Sequence, residues 1–158
     1  MAYRKILVPV DGSTTATLGL REAIRLAKEQ GASIHLVHVV DEHYVVSAGI
    51  ETAAYADDMF DSLRAAGKDI LKKSEAAVRK EGLRASSTML ETITSPVADV
   101  IVRVAKRVRP DVIVIGTHGR RGVRRLLMGS DAEQVVRTSP VPVLLVRGRE
   151  APRSGRRK

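Results

Sequence analysis

Three glycines in the second half of the chain are spaced so that they could bind phosphate. Gly116 ends an apolar run, Gly119 follows after two residues, and Gly129 follows after nine more, directly before Ser130. Since glycine has no Cβ and can take positive φ, a ligand can lie against the main chain and accept hydrogen bonds from its N–H groups. Gly129 and Ser130 open a helical pattern, where main-chain amides, the hydroxyl and the helix dipole favour an anion. The spacing therefore predicts a phosphate-binding loop at the carboxyl end of a strand.

Polar side chains beside these glycines are further candidates, and each has an alternative role. Arg120 can face a phosphate with its guanidinium or remain solvated, and His118 can reach phosphate or face solvent. Asp131, in the first helical turn, suits the helix dipole, yet it places a carboxylate close to the expected phosphate. Asp131 therefore has a second interpretation, as a ligand of a divalent cation.

Another candidate, Asp11, lies near the amino end of the chain. It follows the apolar, β-branched run 5–10, which has the length and composition of a strand buried on both faces. The Asp11 carboxylate can accept hydrogen bonds from a ribose hydroxyl, or it can cap the turn through Gly12 and Ser13. Both roles stay open from the sequence. Ser13 or a nearby threonine is expected to cap the helix that follows.

Strand-like and helical segments alternate along the chain, and this alternation sets the fold class. The predicted strands are residues 5–10, 33–40, 85–90, 112–115 and 141–146. The first predicted helix begins after the cap at Ser13 or a nearby threonine and runs to about Gln30. The other predicted helices are residues 57–81, 96–108, capped by Ser95, and 130–138. Residues 41–56 are expected to be a loop or short helix, with Tyr44 and Tyr55 as packing residues. With right-handed crossovers, the prediction is an α/β fold: a single-domain, doubly wound, five-stranded parallel sheet of order 3-2-1-4-5 with helices on both faces.

The predicted strand order brings the two candidate stretches together. In a doubly wound sheet the ligand crevice lies beyond the carboxyl ends of the strands, where the winding reverses. In the order 3-2-1-4-5 the reversal falls between the first and fourth strands, which end at Asp11 and Gly116. Asp11 and the glycines are therefore expected to line one crevice, which strengthens the ribose interpretation of Asp11.

The glycine spacing resembles the nucleotide-binding signature of the universal stress protein family, in its ATP-binding branch. The resemblance extends from Ile6 to about Val146 and includes the stretches ILVPVDGS, LVHVVDE and SPVPVLLVR. It implies ATP as the ligand, accompanied by Mg²⁺ or Mn²⁺.

The resemblance also implies which residues meet each part of the nucleotide. Family positions around adenosine match Pro9, Asp11 and Val39, and phosphate-contacting positions match the three glycines and Ser130. The nucleotide-binding candidates are Pro9, Val10, Asp11, Val39, Gly116, His118, Gly119, Arg120, Gly129, Ser130 and Asp131. Ala132 stands where some nucleotide-binding relatives carry a hydroxyl, so one candidate phosphate contact is missing.

The last predicted strand, Val141 to Val146, is expected to form a homodimer. It is apolar and ends the strand order, so its unpaired edge would invite association in a monomer. The resemblance implies the same pairing.

The composition is that of one soluble domain with a basic tail. The 158 residues are 44% hydrophobic, and their apolar runs are shorter than the roughly 18 residues of a membrane-spanning helix. Residues 1–147 are expected to form the nucleotide-binding domain, and 148–158 a disordered basic extension or, alternatively, a polyanion-binding arm. The net charge of +9 could indicate nucleic acid, but only 3% of the residues are aromatic, which leaves few stacking platforms. We expect a cytoplasmic protein that binds neither membrane nor nucleic acid.

Metal and catalytic signatures are weak in this sequence. It has no cysteine, and His35 and His38 lie at an odd separation on a predicted strand, so they face opposite sides of the sheet. The G-x4-G-K-[ST] loop is absent, and no residue of the glycine signature is an evident base for activating water.

Three functions remain to be compared. The favoured one is an ATP-binding stress-response or signalling homodimer. A slow ATPase or related nucleotide-using enzyme is the second, and a nucleotide-free interaction or chaperone-like protein is the third. A nucleotidyl transferase is disfavoured because Val10-Asp11-Gly12-Ser13 replaces the expected Ser-Gly-Gly-x-Asp-Ser type of loop, and the intact glycine signature disfavours the third function.

Overall fold

The predicted strand order is confirmed by a computed structural model, which describes residues 2–43, 46, 53–117 and 128–148. Five parallel strands form one sheet in the order β3-β2-β1-β4-β5. The elements in chain order are β1 Lys5–Pro9, α1 Thr14–Gln30, β2 Ser33–Asp41, α2 Ala53–Lys80, β3 Ala85–Thr92, α3 Val97–Val108, β4 Val112–Gly116, α4 Ser130–Thr138 and β5 Val143–Val146. No helix of the described residues has both the length and the apolar character needed to cross a membrane.

The two central strands are buried on both faces, as their uninterrupted apolar runs predict. Ile6, Leu7 and Val8 of β1 are completely buried, and every residue of β4 is buried. Alternate side chains enter two separate cores, one beneath α1 and α2 and the other beneath α3 and α4. The helices therefore cover both faces of the sheet.

The first helix begins and ends where the sequence predicts. The Ser13 hydroxyl accepts a hydrogen bond from the Ala16 N–H at 3.1 Å, which caps α1. Gly31 ends α1 with a φ of +69°, and Gly82 follows α2 with a φ of +75°. Both glycines take the left-handed conformation that other residues rarely adopt.

The predicted cap of the third helix is wrong. The N-cap of α3 is Pro96, and no side chain accepts a hydrogen bond there. Ser95 is instead held in a tight turn by Thr92, whose hydroxyl donates to the Ser95 carbonyl at 2.9 Å and accepts from the Ser95 N–H at 3.1 Å. The turn keeps Ser95 outside the helix.

Other element ends differ from the prediction by a few residues. β2 and β3 pair in register as far as Asp41 and Thr92, which lengthens both strands. α2 begins at Ala53, inside the segment predicted as a loop. β5 begins only at Val143, because Val141 lies in a turn in which its N–H donates to the Ser139 hydroxyl at 3.2 Å.

The two tyrosines of segment 41–56 do not support the packing role predicted for them. Tyr55 is 72% exposed on the first turn of α2, so the prediction is wrong there. Tyr44 lies outside the described residues.

Candidate functional site

The carboxyl ends of β1 and β4 meet at the point where the winding of the sheet reverses. The ladder between them joins Ile6 to Val112 and Leu7 to Ile113, and it stops before Pro9 and Gly116. Because Pro9 has no N–H to donate, it cannot extend the ladder. These two strand ends are therefore adjacent where the sequence predicts the crevice.

Asp11 stands directly after β1 and stabilises the turn into α1. Its Oδ1 accepts a hydrogen bond from the Ser13 N–H at 2.9 Å, and the residue is half-buried. This is the turn-capping role that the sequence left open. It does not exclude a ribose contact, because a carboxylate has two oxygens and about four acceptor positions.

Gly116 has a packing role that the sequence did not predict. Its φ is not positive, and a Cβ built on it would lie 2.5 Å from the Thr15 carbonyl oxygen and 3.0 Å from the Ala16 nitrogen. Gly19 lies against the same place, since its Cβ would be 3.2 Å from the Gly116 nitrogen. Gly116 is thus required where β4 packs directly on the first turn of α1, and the space that a side chain would need is filled by protein main chain.

Gly129 likewise makes a contact within the protein that the sequence did not predict. Its φ of −60° is open to any residue, and its N–H donates to the Thr117 carbonyl at 2.7 Å. The amide that was expected to meet phosphate is therefore bonded within the protein. The same Thr117 donates its N–H to the Val146 carbonyl at 2.9 Å, so Thr117 joins the start of α4 to the end of β5.

The first turn of α4 keeps the other predicted anion-binding features. The first intrahelical bond runs from the Glu133 N–H to the Gly129 carbonyl at 2.9 Å, so the amides of residues 130–132 precede the helical ladder. Ser130 and Asp131 are exposed on this turn, whereas Ala132 is 3% exposed and packs in the core. A side chain with a hydroxyl at position 132 would disturb the packing of this core. The burial of Ala132 therefore accounts for the missing hydroxyl without reference to phosphate.

Val10 is held in place by a histidine that the sequence did not single out as part of the site. The Val10 N–H donates to the Val37 carbonyl at 2.9 Å, and His38 Nδ1 lies 2.7 Å from the Val10 carbonyl oxygen. His38 is 5% exposed beneath α2, where a Cβ on Gly67 would be 2.6 Å from its Cδ2. A buried histidine one residue before Val39 was the available signal.

The remaining strand-end candidates are less enclosed. Pro9 and Val39 are half-buried, and Val39 packs beside the core beneath α3 and α4. His35, on the opposite face from His38, bonds to Ser86 and Thr88, so the predicted opposite orientation of the two histidines is confirmed.

A charged network that the sequence analysis missed lies where β2 ends. Glu42 is only 4% exposed, and its Oε1 is 3.0 Å from Arg64 Nη2. Arg64 Nε also lies 2.9 Å from Glu91 Oε1. Burial raises the pKa of Glu42, whereas the hydrogen bond from Arg64 lowers the pKa of Glu91. One guanidinium therefore binds two carboxylates at the carboxyl ends of β2 and β3.

A continuous series of contacts joins the described candidates. Asp11 bonds to Ser13, which caps α1, α1 packs on Gly116, and Thr117 bonds to Gly129 at the start of α4. The candidates that lie outside the described residues are His118, Gly119 and Arg120. Within the described part of the chain, no group of three or more histidines or carboxylates is placed to hold a metal ion.

Comparison with known proteins identifies the family. A model of the universal stress protein family matches residues 2–147. The universal stress protein MJ0531 of Methanocaldococcus jannaschii is 34% identical over 145 residues, which cover 92% of this chain and 82% of that protein. UspA from Lactobacillus plantarum, a solved structure, is 26% identical with a TM-score of 0.78, over 93% of this chain and 99% of that one. A universal stress protein from Archaeoglobus fulgidus in complex with dAMP is 28% identical with a TM-score of 0.66, over 92% of this chain and 99% of that one. This chain belongs to the universal stress protein family.

Proposed function

We propose that this protein binds ATP in the crevice between β1 and β4 and acts in the cytoplasm as a nucleotide-dependent stress-response homodimer. The observation that carries the proposal is that Asp11 follows β1 while the first turn of α4 is bonded through Gly129 to Thr117, at the end of the neighbouring strand β4. The dAMP complex of the Archaeoglobus relative supports an adenine nucleotide as the ligand.

The adenosine end of ATP fits the loop that follows β1. Asp11 would accept a hydrogen bond from a ribose hydroxyl through one of the roughly four acceptor positions of its carboxylate. His38 fixes the Val10 carbonyl, so the main chain beside the ribose is rigid before the ligand arrives. Pro9 and Val39 would supply apolar surface for the base.

The phosphate end fits the first turn of α4. The amides of residues 130–132 and the Ser130 hydroxyl would donate to phosphate oxygens, and the helix dipole favours the charge. Gly119, Arg120 and His118 would supply further contacts to the phosphates. Asp131 would coordinate a Mg²⁺ or Mn²⁺ ion together with the phosphates. The ion would attract both the carboxylate and the phosphates, which would otherwise repel each other.

The proposed chemistry is binding, with slow hydrolysis at most. Rapid phosphoryl transfer needs a positioned water or acceptor as well as stabilised charge. Asp11 is engaged in the turn, and Asp131 is exposed beside the helix dipole. No residue of the glycine signature is an evident base for activating water, so slow ATP hydrolysis is the second candidate function.

Titration calorimetry with ATP and Mg²⁺ tests the site. Asp11→Ala should weaken binding by about 1–3 kcal/mol, the usual effect of losing a charged hydrogen bond. Asp11→Asn tests the ribose contact while the turn is kept, because the amide oxygen can still accept a hydrogen bond from the Ser13 N–H. Asp69→Asn, an exposed carboxylate of α2 paired with Lys73, is the charge-matched control and should bind like the wild type.

Two results would contradict the proposal. Equal ATP affinity in Asp11→Ala and Asp69→Asn would remove Asp11 from the site. Phosphate release at about 1 per second or faster would indicate an ordinary enzyme instead of a binding protein.

The homodimer is proposed to form through the free edge of β5. Ile113 donates its N–H to the Pro142 carbonyl at 3.0 Å, and Thr117 donates to Val146, so even-numbered residues of β5 face β4. The main-chain groups of Val143 and Leu145 consequently point away from the sheet. Leu144 is 38% exposed on this strand, which leaves an apolar edge suited to self-association.

Light scattering on Leu144→Lys tests this interface. A lysine there charges the edge without entering the core, in contrast to Val143 and Leu145, which pack against the buried residues beneath α3 and α4. Met59→Lys is the control, because Met59 has nearly the same exposure, 39%, on α2 near the other edge of the sheet. Monomers are expected for Leu144→Lys alone, and a dimer in both variants would place the interface elsewhere.

A further inference from the structure

The groove between β3 and α3 has a charge that nothing in the nucleotide site uses. It encloses about 300 Å³ and is lined by Leu90 and Glu91 of β3 and by Arg103, Val104 and Arg107 of α3. Leu90 and Val104 form an apolar floor, and the two arginines are exposed beside it. The groove lies on the far side of β2 from the crevice between β1 and β4.

The two groove arginines carry charges that no ion pair with a described residue neutralises. Arg25, Arg64, Arg79 and Arg137 each form a salt bridge with a glutamate. Within the described residues, Arg103 and Arg107 form none. Glu91 cannot neutralise them, because its carboxylate is bound by Arg64 Nε at 2.9 Å. The groove therefore keeps a net positive charge.

The charge of Arg107 acts on a neighbouring histidine, His35. Burial lowers the pKa of His35, and the positive charges of Lys5 and Arg107 lower it further. His35 is therefore uncharged at neutral pH, and it bonds to Ser86 and Thr88 of β3. A row of neutral polar groups thus continues the basic groove along the strand.

β3 also offers main-chain hydrogen-bonding groups along its outer side. Ile34 donates its N–H to the Arg84 carbonyl at 2.9 Å, and Glu42 donates to the Thr92 carbonyl at 2.8 Å. Even-numbered residues of β3 therefore face β2, and the odd-numbered residues from Ala85 to Glu91 turn their N–H and C=O groups outward. No described residue bonds to these outward groups.

We propose that this edge binds an extended acidic segment of a partner protein, which adds to β3 as a sixth strand and places alternate carboxylates against Arg103 and Arg107. The spacing supports this occupant. Four residues of a helix rise about 6 Å, and two residues of a strand rise about 6.6–6.8 Å, so side chains at i and i+2 of the segment match the arginines at i and i+4. Main-chain bonds would supply affinity, and the arginine pair would select acidic sequences.

The occupant is neither the carboxyl-terminal tail of this chain nor a second copy of it. From Arg147 to Lys158 the tail has six basic residues and one acidic residue, so the arginines would repel it. Two copies joined edge to edge at β3 would bring four groove arginines together. Like charges in one interface are strongly unfavourable, which leaves an acidic partner as the fitting occupant.

Fluorescence anisotropy with synthetic peptides tests the proposal on the full-length protein. The probe is a labelled ten-residue peptide with glutamate at alternate positions and threonine or valine between them. Binding is expected to weaken at high salt, since exposed charges are screened. A peptide with lysine at the same positions and one with its glutamates in adjacent pairs should both bind at least about tenfold more weakly.

Variants of α3 locate the site. The double variant Arg103→Glu/Arg107→Glu should lose at least about tenfold in affinity for the probe. Lys106→Glu is the matched control, because Lys106 is exposed on the same helix but does not line the groove. It should keep the affinity within about threefold, the range of an exposed charge. Equal affinities of the double variant and the control would overturn the proposal.

Modified probes test strand addition separately from charge. N-methylation of every second amide blocks hydrogen bonding on one side of the peptide only. One of the two alternating sets should abolish binding and the other should leave it intact, because only one side faces β3. Full binding with both sets would refute strand addition. Free glutarate that binds as tightly as the probe would indicate a small-anion pocket, and a single-stranded oligonucleotide that binds more tightly would indicate nucleic acid; either result overturns the proposal.

Discussion

Substituting Gly116 by alanine should destabilise the protein even without nucleotide. The new Cβ would lie 2.5 Å from the Thr15 carbonyl oxygen and 2.6 Å from the Thr15 carbonyl carbon. These contacts are about 1 Å shorter than the roughly 3.5 Å at which non-bonded atoms pack. Thr15 contributes main-chain atoms, which cannot rotate away as a side chain can, so β4 and the first turn of α1 must separate.

The expected size of the effect follows from the cost of overpacking. Forcing extra atoms into a packed region usually costs about 1–3 kcal/mol. In a domain of this length, 1 kcal/mol corresponds to about 2–4 °C, so the melting temperature should fall by roughly 2–12 °C. Thermal unfolding of the nucleotide-free protein, followed by circular dichroism or calorimetry, measures this directly.

Gly148→Ala is the control for this experiment. Its Cβ would meet the Thr15 Cγ2 at 3.5 Å, an ordinary contact with the same residue. Each glycine-to-alanine change also removes freedom from the unfolded chain, which stabilises by about 0.4–1 kcal/mol, and the control corrects for this. If Gly116→Ala and Gly148→Ala melt together and only nucleotide binding is lost, Gly116 serves ligand approach, and the packing argument is refuted.

Two further substitutions test contacts away from the crevice itself. Gly67→Ala places a Cβ 2.6 Å from His38 Cδ2, so the free energy of unfolding should fall by about 1 kcal/mol after the gain in helix propensity, and ATP binding should weaken. The loss of stability should disappear in a His38→Ala background. If it persists there, the clash with His38 is not its cause. Asp111 accepts two main-chain N–H groups at the start of β1, at 2.7 and 2.8 Å, and these hydrogen bonds lower its pKa below the ordinary 3.8. The stabilisation by the Asp111 carboxylate is therefore present above pH 3.8 and is lost as the pH falls through the lowered pKa. In urea unfolding, Asp111→Asn should have a lower free energy of unfolding than the wild type at neutral pH, and the difference should disappear in acid. A difference that does not change with pH would contradict this role of Asp111.

The fold could be predicted because its signals are local and repeated. An apolar run such as 5–10 is buried on both faces wherever it lies, and Gly31 and Gly82 end helices with the positive φ that their residue type favours. Alternation of such segments then leaves few possible topologies. The strand order, and with it the adjacency of the ends of β1 and β4, could be predicted from these patterns.

The roles of the glycines could not be predicted because they depend on distant partners. A glycine that allows a ligand to approach the main chain and a glycine that allows a helix to pack closely on it can both stand at a strand end, and the sequence does not distinguish them. Only the structure shows that Thr15 occupies the space beside Gly116, and that the Gly129 amide is bonded to Thr117. The same limit applies to His38, whose contact with the Val10 carbonyl joins residues 28 positions apart.

The position of Thr117 relates the proposed nucleotide site to the proposed dimer interface. Its carbonyl accepts from Gly129 at the start of α4, and its N–H donates to Val146 at the end of β5. Thr117 is 5% exposed, so neither bond can be replaced easily by water. A displacement of α4 by bound phosphate would therefore move the strand through which the chains are proposed to pair. The groove of Arg103 and Arg107 lies beside β3, but its helix α3 packs directly against α4, where the Gln134 amide donates to Asp99 Oδ1 at 2.8 Å. A displacement of α4 would therefore also reach the helix that carries the groove arginines.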